Sequence, residues 1–290
     1  VWNNAETAGN MSRRGYLQAG VEFLGVSGAF SDAQAIAFAV ECMKETGLDD
    51  FTVDVGHVGF FKGLLSGLGV NEEYTEKVRV SINAKDSVGT MLALKEAGVD
   101  GRAAEALLSL PSLFGGEEVF SRAEKLTEDK GALSALEHLK KVHALLKEFG
   151  LEKYVSFDLG TVKSLSYYSG IVFTGLTGAL GAPVLSGGRY DYLADDFGKH
   201  IPAVGFAMGL KRILMALESK GKVEKLPAPD AVIVAKEGAE ATAYGEYLRL
   251  TGEGKTADLY TGSEKEGIRY AAERNAKCVL VAEKEGVKRL

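Results

Sequence analysis

Residues 165–175 read LSYYSGIVFTG, and SGGRYD follows at 186–191. The first stretch puts two tyrosines ahead of a β-branched and aromatic run, and glycine borders that run on both sides. This is the pattern of a half-buried strand. A second strand is expected in APVLSGGRYD (182–191), and PAVGFAMGLKRILMAL (202–217) reads as a strand running into a helix. Upstream, YLQAGVEFLG (16–25) and FTVDVGH (51–57) alternate apolar and small or polar side chains. Strands joined by short connections, with helices grouped rather than interleaved, predict an α+β domain built on an antiparallel sheet.

Helices fill the rest of the first 220 residues. Ser31 and Asp32 are read as N-cap residues of a helix that runs to Thr46, with Gly47 as its stop. From 58 to 150 apolar residues recur at three- and four-residue spacing, so this stretch is mostly helical. Its last segment lines up Leu133, Leu136, Leu139, Val142 and Leu146 as a core-facing stripe. The lysine- and proline-bearing stretch at 221–228 is read as a linker. Beyond it DAVIVA, TADLY and KCVLVAE alternate with two helical segments, so 229–290 is expected to be a small α/β domain with a parallel sheet, cut short of a full unit.

Composition narrows the function. Of 290 residues 46% are hydrophobic and 26% charged, which allows at least one large core. With 34 basic against 40 acidic side chains the formal net charge is −6, and no segment concentrates Lys and Arg, so generic nucleic-acid binding is disfavoured. The two cysteines, Cys42 and Cys278, sit in apolar patterns and read as reduced thiols. They have no ligand spacing with any histidine, and His138 and His143, five apart, do not make a zinc pair, so no metal or other cofactor is expected. A membrane span and a signal peptide are not seen, and the reading is cytoplasmic. The chain opens on Val rather than Met, and an N-terminal segment is expected to be missing.

In chain order LQAGVEFLG, LSYYSGIVFTG, SGGRYD and PAVGFAMGLKRILMAL resemble the catalytic core of histidyl-tRNA synthetase, a class II aminoacyl-tRNA synthetase, and LRLTGEGKTADLY (248–260) resembles part of its anticodon-binding domain. The resemblance implies a class II synthetase-like core over 1–220 with an insertion within 58–150, and an anticodon-binding-like domain over 229–290. It also places a histidine pocket at Gln18, Glu22, Tyr167, Tyr168 and Lys163, with Gly187, Gly188 and Arg189 as a pocket loop. Gln18 and Glu22 are four apart on a strand, so both face one way. Strand geometry sends Tyr167 and Tyr168 to opposite faces.

At the positions that hold ATP in the synthetases, the match is degraded. The arginine opening the second class motif falls on Asn3, the arginine of the histidine signature on Lys163, its aspartate on Ser166, and the glutamate of the third motif on Lys211. Arg14 and Arg212 remain as residues of an old nucleotide site. An amide cannot replace a guanidinium fork on phosphate, so no catalytic residue is assigned. A synthetase-like chain with a kept histidine pocket resembles the regulatory subunit of ATP phosphoribosyltransferase. That resemblance implies a partnership with a short catalytic subunit in the first step of histidine biosynthesis, a homodimer through the core, L-histidine as the sensed ligand, and no role for tRNA. An active histidyl-tRNA synthetase and a stand-alone histidine-binding module are the alternative readings.

Overall fold

The computed structural model describes residues 2–3, 15–162, 167–223 and 227–290, with backbone only at 2–3, 15–16 and 196. Chain contacts divide into two compact units, Val1–Val223 and Glu224–Leu290.

In the first unit the elements are β1 (Trp2–Asn3), β2 (Gly15–Tyr16), β3 (Gln18–Leu24), α1 (Ala29–Glu45), β4 (Phe51–His57) and α2 (Val58–Leu65). There follow α3 (Glu72–Asn83), α4 (Ser87–Glu96), α5 (Gly101–Ser109), β5 (Phe114–Gly115), α6 (Glu118–Glu124) and α7 (Lys130–Glu148). Then come β6 (Val155–Asp158), β7 (Ile171–Thr177), β8 (Leu180–Arg189), β9 (Ala203–Gly209) and α8 (Leu210–Ser219). The expected strands and the helical stretch after residue 58 are therefore present. Seven strands form one sheet in the order β3-β9-β8-β7-β4-β6-β5, antiparallel throughout except for the β4/β6 pair. The only strand inside the helical stretch among the described residues, β5, caps the β6 edge.

One face of this sheet is the core. Alternation in β4 buries Phe51, Val53 and Val55, and register carries the same face through Phe173, Leu185 and Phe206. Ile36, Val40 and Met43 of α1 and Leu136, Leu139 and Val142 of α7 belong to the same cluster, and α1 packs on α7. Each such burial contributes about 1.5–3 kcal/mol.

Helix limits are set locally. Asp129 caps α7 by accepting from the Ala132 amide at 2.8 Å. The start of α1 corrects the expected cap. Gly28, at φ 88, is the N-cap residue, and Ser31 and Asp32 lie inside the first turn. Ser31 donates its hydroxyl to the Gly28 carbonyl at 2.9 Å, and Asp32 is fully buried. The expected stop holds, since Gly47 takes φ 81 just after the helix.

The second unit runs β10 (Ala231–Ala235), α9 (Glu240–Gly252), β11 (Ala257–Thr261), α10 (Glu264–Glu273), β12 (Val279–Glu283) and β13 (Gly286–Arg289). Its strand order is β11-β10-β12-β13. The β10 pairs are parallel as expected, but β13 returns antiparallel on β12, a hairpin the sequence reading did not include. Every residue of β10 is buried because its two faces are both covered: Ala231 and Ile233 pack with Ala243 and Leu250 of α9, while Val232 and Val234 pack with Ala271 of α10.

Candidate functional site

The second face of the seven-stranded sheet is made largely of small and polar residues. Cross-strand register aligns Glu22 with Gly205 and Gly205 with Gly188. The adjoining row runs Gly20, Ala207, Ser186, Thr174, Asp54 and Ser156. Such a row leaves a floor on which side chains from the rim can stand.

Glu22 lies on that floor over Gly205. A Cβ at Gly205 would collide with the Glu22 carboxylate and with the Val21 carbonyl, so the bare glycine is what admits the glutamate. From the far side Tyr190, next after β8, donates its hydroxyl to Glu22 Oε2. Tyr167 stacks on Tyr190 with ring centroids 5.3 Å apart and an interplanar angle of 18°, and Tyr168 meets Tyr167 edge to face at 4.7 Å and 89°. Tyr168 stands over Gly188, where a Cβ would come within 2.7 Å of its ring, and it is hydrogen-bonded to Ser186. One carboxylate and three phenols thus converge.

The phenols are held protonated. Burial, followed by the neighbouring Tyr167 and Glu22, pushes Tyr168 up to about 12. Burial and then Glu22 raise Tyr167, and burial followed by the bond to Glu22 raises Tyr190. At neutral pH this cluster offers hydroxyl donors beside a carboxylate acceptor, a set that suits a small planar ligand carrying both N–H and lone-pair nitrogen.

At the other end of the floor Asp54 accepts from the Ser156 hydroxyl, and burial, helped by the nearby Asp158 and opposed by that bond, leaves its carboxyl raised. Asp158 in turn accepts from Lys85 Nζ at 2.9 Å through both oxygens. Between Asp54 and Ser186, Thr174 is 8% exposed and its Oγ1 has no hydrogen-bond partner among the described residues.

The structure brings together Glu22, Tyr167 and Tyr168. Gln18 shares the strand face of Glu22, as its spacing predicts, but it is exposed and pairs with Gly209, four residues along β9 from Gly205. Two expectations need correction. Gly187, Gly188 and Arg189 are not a loop but the last residues of β8. Only Gly188 faces the tyrosines, since Gly187 makes room for the Phe173 ring and Arg189 enters the buried layer beneath. Tyr167 and Tyr168 are not in a strand either. They precede β7 in a turn, so their rings gather on one side instead of splitting across the sheet.

Arg212 is exposed at the start of α8 and donates to the Pro183 carbonyl at 2.6 Å, away from the tyrosine cluster. Arg14 and Lys163 lie outside the described residues, and Asn3 is described only by its backbone pairing with Gly15. Sequence reasoning missed Tyr190 and Asp54. Alternation from Gly188 puts Tyr190 on the floor side, and alternation against Val53 and Val55 does the same for Asp54.

Among the described residues no group of three His, Cys, Asp or Glu side chains is placed to hold a metal ion, and no helix is long and apolar enough to cross a membrane. Both cysteines, Cys42 and Cys278, are free thiols.

The profile of the histidyl-tRNA synthetase family matches residues 1–213. The ATP phosphoribosyltransferase regulatory subunit of Acetivibrio thermocellus is 41% identical over 91% of this chain and 64% of the relative. Its counterpart from Caldanaerobacter subterraneus subsp. tengcongensis is 36% identical over 88% of this chain and 67% of the relative. This chain belongs to the histidyl-tRNA synthetase family, in the branch of the ATP phosphoribosyltransferase regulatory subunits. A solved family structure, described as an ATP phosphoribosyltransferase regulatory subunit/histidyl-tRNA synthetase from Bacillus halodurans C, superposes with a TM-score of 0.69 at 28% identity, covering 92% of this chain and 68% of that one. The chain spans 64% and 67% of the length of these two curated relatives. The class II synthetase-like α+β fold expected from the four motifs is the fold of this family.

Proposed function

We propose that this chain is a non-catalytic regulatory subunit that activates a short ATP phosphoribosyltransferase and senses L-histidine for feedback inhibition. The observation that carries the sensing role is the convergence of the Glu22 carboxylate with the Tyr190, Tyr167 and Tyr168 phenols on a glycine floor. An imidazole is planar, donates from one nitrogen and accepts at the other, and stacks on aromatic rings, so it fits that set of partners. Gln18, on the same face, supplies an amide to the amino-acid end, with Lys163 as a cation for the carboxylate.

The non-catalytic role follows from the sequence. Transfer chemistry on ATP needs cations at the phosphates, and Asn3 stands where the second synthetase motif carries Arg, while Ser166 and Lys211 replace the Asp of the histidine signature and the Glu of the third motif. Catalysis then belongs to the partner subunit, and the relatives' name supports such a partnership. The class II core is read as a homodimer, the unit 229–290 as an anticodon-binding-like domain without a tRNA to serve, and the setting as cytoplasmic. For histidine to inhibit, it must bind the active and inactive states of the complex unequally, by about 1–3 kcal/mol.

Reconstitution tests this reading. The chain is mixed with a short ATP phosphoribosyltransferase and turnover is followed with and without histidine. Stimulation reversed by histidine is the expected result. Robust histidine-dependent ATP–pyrophosphate exchange by the chain alone would replace the reading with a working synthetase, and histidine binding without any effect on the transferase would leave a stand-alone sensor.

A further inference from the structure

The turn that carries Tyr167 and Tyr168 is fastened through the residue after them. The Ser169 hydroxyl donates to Asp191 Oδ2 at 3.0 Å, and the Asp191 amide donates back to Ser169 Oγ at 3.0 Å, a closed ring between segments 22 residues apart. The Ser169 amide also donates to the Arg189 carbonyl at 2.9 Å. The second oxygen of Asp191 accepts from Arg189 Nη1 at 2.9 Å and from the Ala203 amide at 3.1 Å. This one carboxylate therefore joins the tyrosine turn, the end of β8 and the start of β9. It sits beside Tyr190 in the chain, the residue that reads Glu22.

The network continues through the sheet. Arg189 is 5% exposed and its remaining donors are taken by Asp32 at 2.9 Å, the Val26 carbonyl at 2.9 Å and Ser31 Oγ at 2.8 Å. Asp32 is fully buried, and its other oxygen lies 2.6 Å from His138 Nε2 of α7. Buried charges are tolerated when each has partners of this kind.

We infer that Asp191 is the positioning residue of the tyrosine cluster. Its carboxylate fixes where Tyr167, Tyr168 and Tyr190 stand relative to Glu22, and through Arg189 and Asp32 it ties that placement to helices α1 and α7. The inference deepens the histidine-sensing reading and rests on it. It also goes beyond it, because Asp191 and Ser169 need not touch the ligand.

Asp191→Ala, Ser169→Ala and the conservative Ser169→Thr are compared in the full chain by two measurements. Titration with histidine is expected to show Kd about tenfold higher for Ser169→Ala, the loss of one hydrogen bond to a charged partner, and at least as high for Asp191→Ala, which also removes the acceptor of Arg189 and the Ala203 amide, with Ser169→Thr within about twofold of the parent. Amide hydrogen exchange without ligand is expected to speed up at 167–171 in the alanine variants and to stay unchanged in α9. The exchange arm does not depend on histidine. If the parent chain fails to bind histidine, the sensing reading falls, while faster exchange confined to the turn still supports positioning. Ser169→Ala with unaltered exchange, or with faster exchange and an unaltered histidine Kd, overturns the assignment. Should Asp191→Ala fail to fold, Ser169→Ala decides alone.

Discussion

Tyr190, at the end of β8, reaches across β9 to hydrogen-bond Glu22 on β3, and the strand between them carries Gly205 where the path passes. Three strands are thus joined above the sheet by two side chains and the absence of a third. Tyr167 stacks on the ring of the same Tyr190 that makes that bond.

Glu22→Gln is expected to weaken histidine binding by about 10- to 100-fold, since the acceptor of an imidazole N–H loses its charge. Tyr190→Phe keeps the ring that Tyr167 stacks on and removes only the hydroxyl, so its expected loss is smaller, about three- to tenfold. Calorimetric titration of both variants checks the order. Equal affinities in Glu22→Gln and the parent would remove Glu22 from the ligand site.

Gly205→Ala separates space from chemistry. The added methyl would overlap the Glu22 carboxylate and the Val21 carbonyl, so either the glutamate or the strand must move. The expected outcome is a loss of about 1–3 kcal/mol in urea unfolding, with histidine affinity reduced at least as much as in Glu22→Gln. A variant with full affinity would mean that the glutamate is free to leave the floor without cost to binding.

How far the sequence revealed these relationships depends on how local they are. Alternation in FTVDVGH was enough to put Val53 and Val55 in the core, because the strand's own period decides its faces. The same rule failed at the tyrosines. It began β7 too early, whereas the backbone there is held by Ser169 bonding to Arg189 and Asp191, partners from another strand's end. Asp32 had the chemistry of a cap, but Gly28 fills that position and Asp32 is claimed by Arg189, 157 residues away. Gly187 and Gly188 had the composition of a loop. They lie in a strand because the Phe173 ring on one face and the Tyr168 ring on the other occupy the space where side chains would go.

Acid sensitivity is expected from His57. Its Nδ1 accepts from the Gly59 amide at 3.0 Å as the cap of α2, and burial together with the nearby His138 lowers it to about 4. The folded state thus resists a proton that the unfolded chain accepts near pH 6.5. Stability from this site is complete above that pH and falls as pH drops from 6.5 towards 4, by about 3 kcal/mol over the whole window. His57→Asn retains a capping oxygen without a titrating ring. Urea midpoints measured at pH 7.5 and 4.5 should differ less in the variant than in the parent. An identical difference in both would assign the acid sensitivity to other groups.

The close approach of α2 to α7 gives the last prediction. A Cβ on Gly63 would lie 2.5 Å from the Ala132 amide nitrogen, 2.6 Å from Asp129 Oδ1 and 2.7 Å from the Ala132 Cβ. Asp129 is also the cap of α7, so the methyl strikes packing and capping together. In an exposed helix interior Gly→Ala stabilises by roughly 1 kcal/mol; here backbone and cap leave the methyl no free volume, and a net loss of about 2 kcal/mol is expected. Thermal unfolding of Gly63→Ala measures it. The tyrosine cluster rests on the other face of the sheet, so histidine affinity should stay within about twofold of the parent, and a parallel loss of affinity would show that the packing of α2 on α7 reaches through the sheet to the ligand site.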